Sequence, residues 1–244
     1  MAENIYIDFT EEFEEDTVQM YQELCESLTE TLKNMCSDME EICNETQYEP
    51  IVNVVNQTID LFNSEIHGIS TNAFEEWSQG GGSFNAIAEK SQVGDMGIET
   101  ARNIEQRIRD IFEEFWSSSP MGEAITVDTS RPKVKSEDFD ELKEVYTKYC
   151  SSIGEIGEET LSKIAEKGDE NPTYNIILPA VKCLSEPVKN AFEEFGTKID
   201  EAKEESETIK TQQESDTEEA LETATKVSAS AADVAEALDM FKDI

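Results

Sequence analysis

Apolar residues recur along most of the chain at steps of three and four, which is the period of an amphipathic helix. The first apolar stripe alternates steps of 4 and 3 and consists of Tyr21, Cys25, Leu28, Leu32, Met35, Met39 and Ile42. The positions between them are mostly Glu, Asp, Gln, Ser and Thr. This heptad-like spacing is typical of a helix that buries one face. It predicts a first long helix over about residues 20–43.

A second stripe follows a polar turn that ends at Pro50, which suits the first turn of a helix because its missing N–H costs nothing there. The members of this stripe are Ile51, Val55, Thr58, Phe62, Ile66, Ile69, Ala73 and Trp77. We expect the two helices to fold back as an antiparallel hairpin. Three consecutive glycines, 80–82, predict the end of the second helix, as a plain turn or as a hinge.

A third stripe is predicted to resume by about Gly97 and to end at Trp116. Its members are Ile98, Ala101, Ile104, Ile108, either Ile111 or Phe112, and Phe115. Residues 117–122, Ser-Ser-Ser-Pro-Met-Gly, have the composition of a linker.

The second half of the chain repeats this organisation with two further stripes. One consists of Leu142, Tyr146, Tyr149, Ile153, Ile156 and Ile164, and the other of Ile177, Val181, Leu184, Val188, Phe192, Phe195, Ile199 and Ala202. Gly154 and Gly157 are expected to loosen the first of these helices. Pro179 and Pro187 are expected to kink the second or to delay its start.

The C-terminal part begins with a polar stretch, residues 204–218, that is compatible with either a solvated helix or a flexible spacer. It ends in an Ala-rich amphipathic pattern that predicts a helix docked on the rest, formed by Leu221, Ala224, Val227, Ala231, Val234, Leu238 and Phe241. Only residues 5–7 and 124–127 have β-like composition.

The two halves also resemble each other in sequence. Residues 21–28 align with 146–153, and the Asn-Ala-Phe-Glu-Glu run at 72–76 recurs at 190–194. The openings at 5–10 and 125–130 are similar as well. A duplicated hairpin could bury its stripe against its own copy. The sequence therefore predicts an all-α fold, with two tandem helical-hairpin units packed as an elongated antiparallel helical bundle. The first unit is predicted at 1–118, a linker and the start of the second copy at 119–137, and the second unit at 138–244.

The charge of the chain narrows the choice of partners. It carries 19 Lys and Arg against 56 Asp and Glu, a formal charge of −37. Nucleic acid and anionic membranes attract clustered basic residues, so both are predicted not to be partners. The chain has no apolar run of about 18 residues, and its start lacks a basic region followed by an apolar one. We therefore expect a cytoplasmic protein.

Candidate catalytic chemistry is sparse. The five cysteines form no C-x-x-C pair and are expected to be free thiols used as core residues. His67 is the only histidine, which excludes a ferritin-like di-iron site that needs two. No G-x-S-x-G, phosphate loop or EF-hand loop occurs. We predict no enzyme activity, no cofactor, no metal and no small-molecule substrate.

Four large aromatic residues are the candidate partner-binding residues: Trp77, Phe84, Trp116 and Phe195. Trp is enriched at interface hot spots. The simpler interpretation of Trp77 and Trp116 is that they anchor the core at helix ends. The partner is expected to be another helical protein or a second copy of this chain.

The chain resembles the helical-hairpin proteins of type VII secretion systems, the WXG and LXG groups. The likeness covers the opening Ile5-Tyr6-Ile7-Asp8, the paired amphipathic helices, the acidic composition and Trp77-Ser78-Gln79-Gly80, which is similar to their Trp-x-Gly turn. None of the six tyrosines begins a Tyr-x-x-x-Asp/Glu export signal.

This resemblance implies an adaptor or co-secreted partner of a secretion effector, exported by a non-classical route with a chain that carries the signal. The alternative is a self-contained helical scaffold or assembly protein, of a phage or surface structure, that is unrelated to secretion.

Overall fold

The computed structural model describes residues 7, 9–129 and 137–240. These residues form helices connected by turns and contain no strand, which confirms the predicted all-α class. The seven α-helices are α1 (Glu11–Thr46), α2 (Glu49–Asp60), α3 (His67–Gln79), α4 (Phe84–Ser91), α5 (Gly94–Ser117), α6 (Asp138–Glu170) and α7 (Leu178–Met240). A π-helical segment, Leu61–Ile66, joins α2 to α3, and a 3-10 segment, Pro172–Ile177, precedes α7.

Helix α1 contains the predicted range 20–43 but begins nine residues earlier, at Glu11. The hydroxyl of Thr10 accepts a hydrogen bond from the backbone N–H of Phe13 at 3.1 Å and caps the N-terminus. Three glutamates in the first turn interact favourably with the helix dipole. All seven members of the first predicted stripe are buried. The helix ends at Thr46, and the left-handed backbone of the next residue, Gln47 (φ 47°), turns the chain into α2.

The second predicted helix contains a change of phase. The π-helical segment at 61–66 adds about one residue to a turn, so the buried face moves from Ile69 to Ser70 and from Ala73 to Phe74. Ile69 is 54% exposed, and its assignment to the stripe, like that of Ala73, is wrong. Ser70 is fully buried, and its hydroxyl donates to the carbonyl of Cys183 in α7 at 2.7 Å.

Helix α4 was not expected, because the third helix was predicted to resume only by Gly97. Ser83 caps α4 by accepting from the backbone N–H of Ala86. With eight residues, α4 buries only Phe84 and Ala88, too few positions to establish a period. Gly80 makes the preceding turn possible, because a Cβ there would lie 2.8 Å from the carbonyl oxygen of Glu76.

In the second half, α6 is continuous through both glycines at 154 and 157. The 3-10 segment delays α7, so Pro179 lies in its first turn and Pro187 inside it. Residues 204–218 are helical, in agreement with the first of the two alternatives. The predicted docking of the last stripe lies outside the described side chains, as does most of the β-like opening at 5–7. Residues 124–127 form no strand.

Contacts divide the chain into two compact units, Met1–Ile199 and Asp200–Ile244. Within the first unit α6 runs antiparallel to α1, since Asp16 contacts Lys167 while Asp38 contacts Lys148. The part of α7 that belongs to this unit, residues 178–199, runs antiparallel to the stretch from α2 to α3, because Phe62 packs on Phe192 and Ser70 bonds Cys183. Both predicted hairpins thus contribute to one core. The duplication and its boundary at 119–137 stay predictions.

Residues 121–125, which follow α5, pack along α2 and the π-helical segment and do not project as a free linker. Met121 is fully buried. The side-chain amide of Asn56 accepts from the N–H of Ile125 at 2.7 Å and donates to its carbonyl at 2.9 Å. The amide of Asn63 donates to the carbonyl of Gly122 at 3.0 Å. These bonds replace a strand partner for this extended backbone.

Candidate functional site

The four candidate partner-binding aromatics all lie in the core. Their exposed fractions are 8% for Trp77, 0% for Phe84, 6% for Trp116 and 0% for Phe195. Trp77 meets Phe84 edge-on at 5.6 Å between ring centroids. Phe195 meets Tyr146 edge-on at 5.4 Å. Trp77 and Trp116 are therefore core residues, as their simpler interpretation expected, and Phe84 and Phe195 are buried as well. A partner contact through any of the four stays a prediction.

Two clusters, each of one Asp, one Lys and one Tyr, connect α1 to the elements packed on its α6 side. One cluster lies near each end of α1. Asp16 accepts from the Lys167 ammonium and from the hydroxyl of Tyr174, the latter at 2.9 Å. The hydrogen bond from Lys167 is the main cause that lowers the pKa of Asp16. Burial of the phenol, helped by its bond to Asp16, raises the pKa of Tyr174 to about 12.

The second cluster repeats this chemistry near the other end of α1. Asp38 accepts from the hydroxyl of Tyr149 at 2.6 Å and from the Lys148 ammonium at 3.2 Å. The bond from Tyr149 is the main cause that lowers the pKa of Asp38. Two depressions of about 230 and 260 Å³ lie between these ends, and Lys163 takes part in lining both. The two clusters fix the register of α6 on α1.

The opposite flank of α1 faces α5 and opens into a groove. Glu14, in the first turn of α1, pairs with Arg107, in the second half of α5, at 3.1 Å. The groove lies further along both helices, between residues 22–34 and 111–118, so α1 and α5 run parallel. The groove encloses about 600 Å³. Its lining consists of Gln22, Cys25, Glu26, Thr29, Glu30, Lys33, Asn34, Ile111, Glu114, Phe115 and Ser118. We call this feature the α1–α5 groove.

The α1–α5 groove has an apolar floor and an acidic rim. Cys25 and Phe115 are buried at its base, and Ile111 is half-buried beside them. The rim carries three exposed carboxylates, on Glu26, Glu30 and Glu114, and one exposed ammonium, on Lys33. Such a surface can hold an amphipathic helix whose charged side chains are basic.

The apolar spacing of the sequence does not predict the α1–α5 groove, although the sequence contains one indication of it. The third stripe could be continued by Ile111 or by Phe112, and the structure uses both residues. Phe112 enters the core and stacks on Phe74 at 4.4 Å, while Ile111 lines the groove. Ile111, an apolar residue next to the stripe that already contains Phe112, was therefore the indication that α5 has a second, partly open contact face.

Three cysteines, Cys25, Cys43 and Cys183, are buried in the core, and Cys36 and Cys150 are half-buried. All five are free. Burial is the main cause that raises the pKa of Cys36 and of Cys183 to about 11 and that of Cys43 to about 12, and it raises that of Cys25 further. These four thiols are therefore protonated at neutral pH, a form that is neither a nucleophile nor a metal ligand.

Two further kinds of feature, a metal-binding cluster and a membrane-spanning helix, are absent from the described part of the chain. Among residues 7–240, with the gaps at 8 and 130–136, no three His, Cys, Asp or Glu side chains are arranged to hold a metal ion. In the same part of the chain no helix is long and apolar enough to cross a membrane.

Comparison with known proteins found no matching family model, no similar curated protein and no similar solved structure.

Proposed function

We propose that this chain is a non-enzymatic helical interaction protein that binds a helical partner in the α1–α5 groove. The observation that carries the proposal is the contrast between the two flanks of α1. One is fastened by polar clusters, and the other leaves an apolar floor open between two parallel helices. Burial of an amphipathic partner helix on that floor would complete the packing of α1 and α5.

The charge of the groove indicates the chemistry of the partner. The rim of the groove carries three carboxylates and only one ammonium, and the formal net charge of the whole chain is −37. A partner helix with Lys or Arg beside its apolar face would be steered to the groove and paired at its rim. An acidic partner helix would be repelled. We therefore expect a basic amphipathic segment.

A charge reversal at the rim tests this proposal. The variant Glu30→Lys/Glu114→Lys reverses two groove carboxylates. Its matched control, Glu144→Lys/Glu158→Lys, makes the same change in net charge at two exposed positions of α6. Tagged versions of the full chain are isolated from the native cell, and co-purifying proteins are quantified by mass spectrometry. We expect one stoichiometric partner with the unmodified chain and with the control, and its loss with the groove variant. Equal recovery with all three chains would place the contact elsewhere.

The narrower proposal is an adaptor or co-secreted partner in type VII secretion. It is supported by the resemblance of the sequence to the WXG and LXG groups, including the turn after Trp77, which ends α3 and leads to Gly80. In that case the partner is a long-helix effector that carries the export signal, and both chains reach the culture medium together. Deleting the partner gene would then retain this chain in the cells. Export that continues without the partner would contradict the adaptor role.

One observation favours the second candidate function, a self-contained scaffold. The apolar stripes of the first unit are used in its own core, and the large apolar side chains exposed among the described residues, Ile69, Met96 and Ile209, lie on three different helices. A scaffold of this kind needs no partner to fold. Light scattering would then give a monomer of 27.4 kDa or a regular homo-oligomer. A chain that is unfolded until a partner is added would exclude it.

A further inference from the structure

The α1–α5 groove is bounded at both ends by contacts that join α1 to the chain on the other side of the groove. At one end Glu14 of α1 pairs with Arg107 of α5 at 3.1 Å. At the other end the thiol of Cys36 in α1 donates to the carbonyl of Met121, which follows α5. The side chain of Met121 is fully buried. The two walls therefore meet at these contacts and separate between them.

The two closing contacts lie on the same flank of α1 as the groove floor. Glu14, Cys25 and Cys36 are spaced by 11 residues, which is about three turns of an α-helix. Helix α1 is continuous through all three positions. A partner that lies along this flank and covers Cys25 therefore reaches the Glu14 contact in one direction and the Cys36 contact in the other.

The distance between the closing contacts limits the length of apolar partner surface that the groove can cover. On α1 the lining begins at Gln22 and ends at Asn34. At 1.5 Å per residue this stretch is about 18 Å long, and the stretch from Glu14 to Cys36 is about 33 Å long. A partner helix that follows α1 has the same rise, so its covered part has about 12 residues and at most about 22.

The depth of the groove limits how much of a partner helix it can hold. The groove encloses about 600 Å³. A helix about 18 Å long and about 10 Å in diameter has a volume of roughly 1,400 Å³. The groove therefore holds the side chains of one helix face, while the opposite face stays in water. An amphipathic helix suits both surroundings.

Carboxylates lie on both walls, close to the floor. Glu26 and Glu30 are one turn apart on α1, and Glu114 lies on α5. Burial raises the pKa of the Cys25 thiol, and the charges of Glu26 and Glu114 raise it further, so both carboxylates act on the floor. Lys or Arg on both sides of the apolar face of a partner helix would pair with these groups.

We propose that the α1–α5 groove recognises a short apolar face, of about 12 to 22 residues, on a basic amphipathic helix, and not a continuous coiled-coil seam. This inference rests on the proposed function, since it takes the groove as the partner site. Partner segments beyond the Glu14–Arg107 and Cys36–Met121 contacts add no apolar contact, because the two walls meet there.

Model peptides of constant length and charge test this limit. Each has about 35 residues in five heptads, with Lys at positions e and g of every heptad and Ala or Gln elsewhere. The peptides differ in the number of consecutive central heptads, from none to five, that carry Leu instead of Ala at positions a and d. Calorimetry measures their binding to the full chain, at concentrations at which sedimentation shows monomeric peptides.

We expect the affinity to rise at least about tenfold from the peptide without Leu to the peptide with two Leu heptads, because the floor buries these side chains. A third Leu heptad should add less. A fourth and a fifth should change the affinity less than about threefold, because three heptads, about 21 residues, already span the distance from Glu14 to Cys36.

Two variants show whether the gain from Leu arises in the groove. Ile111→Gln places a polar group on the floor and should reduce the gain to less than about threefold. The matched control Ile69→Gln makes the same change on α3, at a side chain that is 54% exposed and lies outside the groove lining, and should leave the gain unchanged. If Ile111→Gln lowers the thermal midpoint, the charge reversal of the rim described above provides a second test, and should weaken binding of the peptide with two Leu heptads at least about tenfold.

The outcomes separate this inference from the proposed function. An affinity that keeps rising about tenfold with each Leu heptad up to five, and that Ile111→Gln still abolishes, would overturn the limit of length and leave the groove as the partner site. No gain from Leu, or an equal gain in Ile111→Gln and Ile69→Gln, would contradict the groove as the binding site and with it both proposals.

Discussion

The two flanks of α1 differ in how completely the rest of the fold covers them. Towards α6, antiparallel packing ends in two clusters in which an Asp accepts from a Lys and a Tyr. Towards α5, parallel packing leaves a groove of about 600 Å³ with an apolar floor. Polar groups that are satisfied within the fold fix a register, whereas an apolar floor with an acidic rim is unfinished surface that a partner can cover.

The largest expected loss of stability comes from a substitution in the packing of α6 against α1. Ile153 of α6 is 3% exposed, so Ile153→Ala leaves a cavity in the core. We expect a loss of about 2–5 kcal/mol in the free energy of unfolding. Urea denaturation followed by circular dichroism measures it. A loss below about 1 kcal/mol would mean that α6 is held less firmly than this account requires.

A smaller effect is expected from removing the two Asp clusters. Asp16→Asn/Asp38→Asn should cost about 1–2 kcal/mol at pH 7, since both carboxylates are partly solvated. Their pKa values are lowered in the folded state. The unfolded chain therefore binds protons first as the pH falls, and this contribution, complete above the ordinary pKa of 3.8, is lost as the pH falls through the folded pKa values.

The measurement for that prediction is the difference in unfolding free energy between the unmodified chain and the double variant at several pH values. It should shrink towards zero as the pH falls below the ordinary pKa of 3.8 and through the lowered pKa values of the folded state. A difference that stays constant over the whole range would show that the two carboxylates do not contribute through their charge.

Salt should have opposite effects on the fold and on the complex. At −37 the folded chain repels itself, so raising NaCl from about 0.02 to 0.15 M should raise the thermal midpoint by about 2–4 °C through screening. The same change should weaken binding of a basic partner at the groove rim. A midpoint that falls or stays flat would contradict the first expectation, and an affinity that rises would contradict the second.

The smallest effect on stability is expected on the open side. Ile111 is half-buried in the groove, so Ile111→Ala should cost less than about 1 kcal/mol. The same variant should weaken partner binding about tenfold, because the partner buries this side chain. Unfolding and binding measured on the same sample separate these results. A destabilisation similar to that of Ile153→Ala would show that the groove floor is core.

The long regular helices of this fold could be predicted from the sequence, whereas the π-helical segment and the short helix α4 could not. The stripe of α1 is buried as predicted because an uninterrupted helix keeps one phase over its whole length. The phase change between Phe62 and Ser70 was not indicated by the apolar spacing, and in the fold it brings Ser70 against Cys183 of α7. Helix α4 is too short to show a period, and its evidence is the cap at Ser83. Which helices become neighbours, and so where the groove lies, depends on the tertiary pairing of α1 with α5.

The candidate residues show a similar limit. Large aromatics at helix ends suit both a core and a hot spot, and only the burial of Trp77 and Trp116 distinguishes the two. The adjacent apolar pair at 111 and 112 was the more informative feature, since one stripe can use only one of them.

The most direct test of the central claim is the dissociation constant of the isolated partner for three forms of the full chain. The account predicts that Glu30→Lys/Glu114→Lys weakens binding by at least about a hundredfold, or 2.7 kcal/mol, while Glu144→Lys/Glu158→Lys changes it less than about threefold. Equal weakening by the two charge reversals would show that net charge, and not the α1–α5 groove, selects the partner.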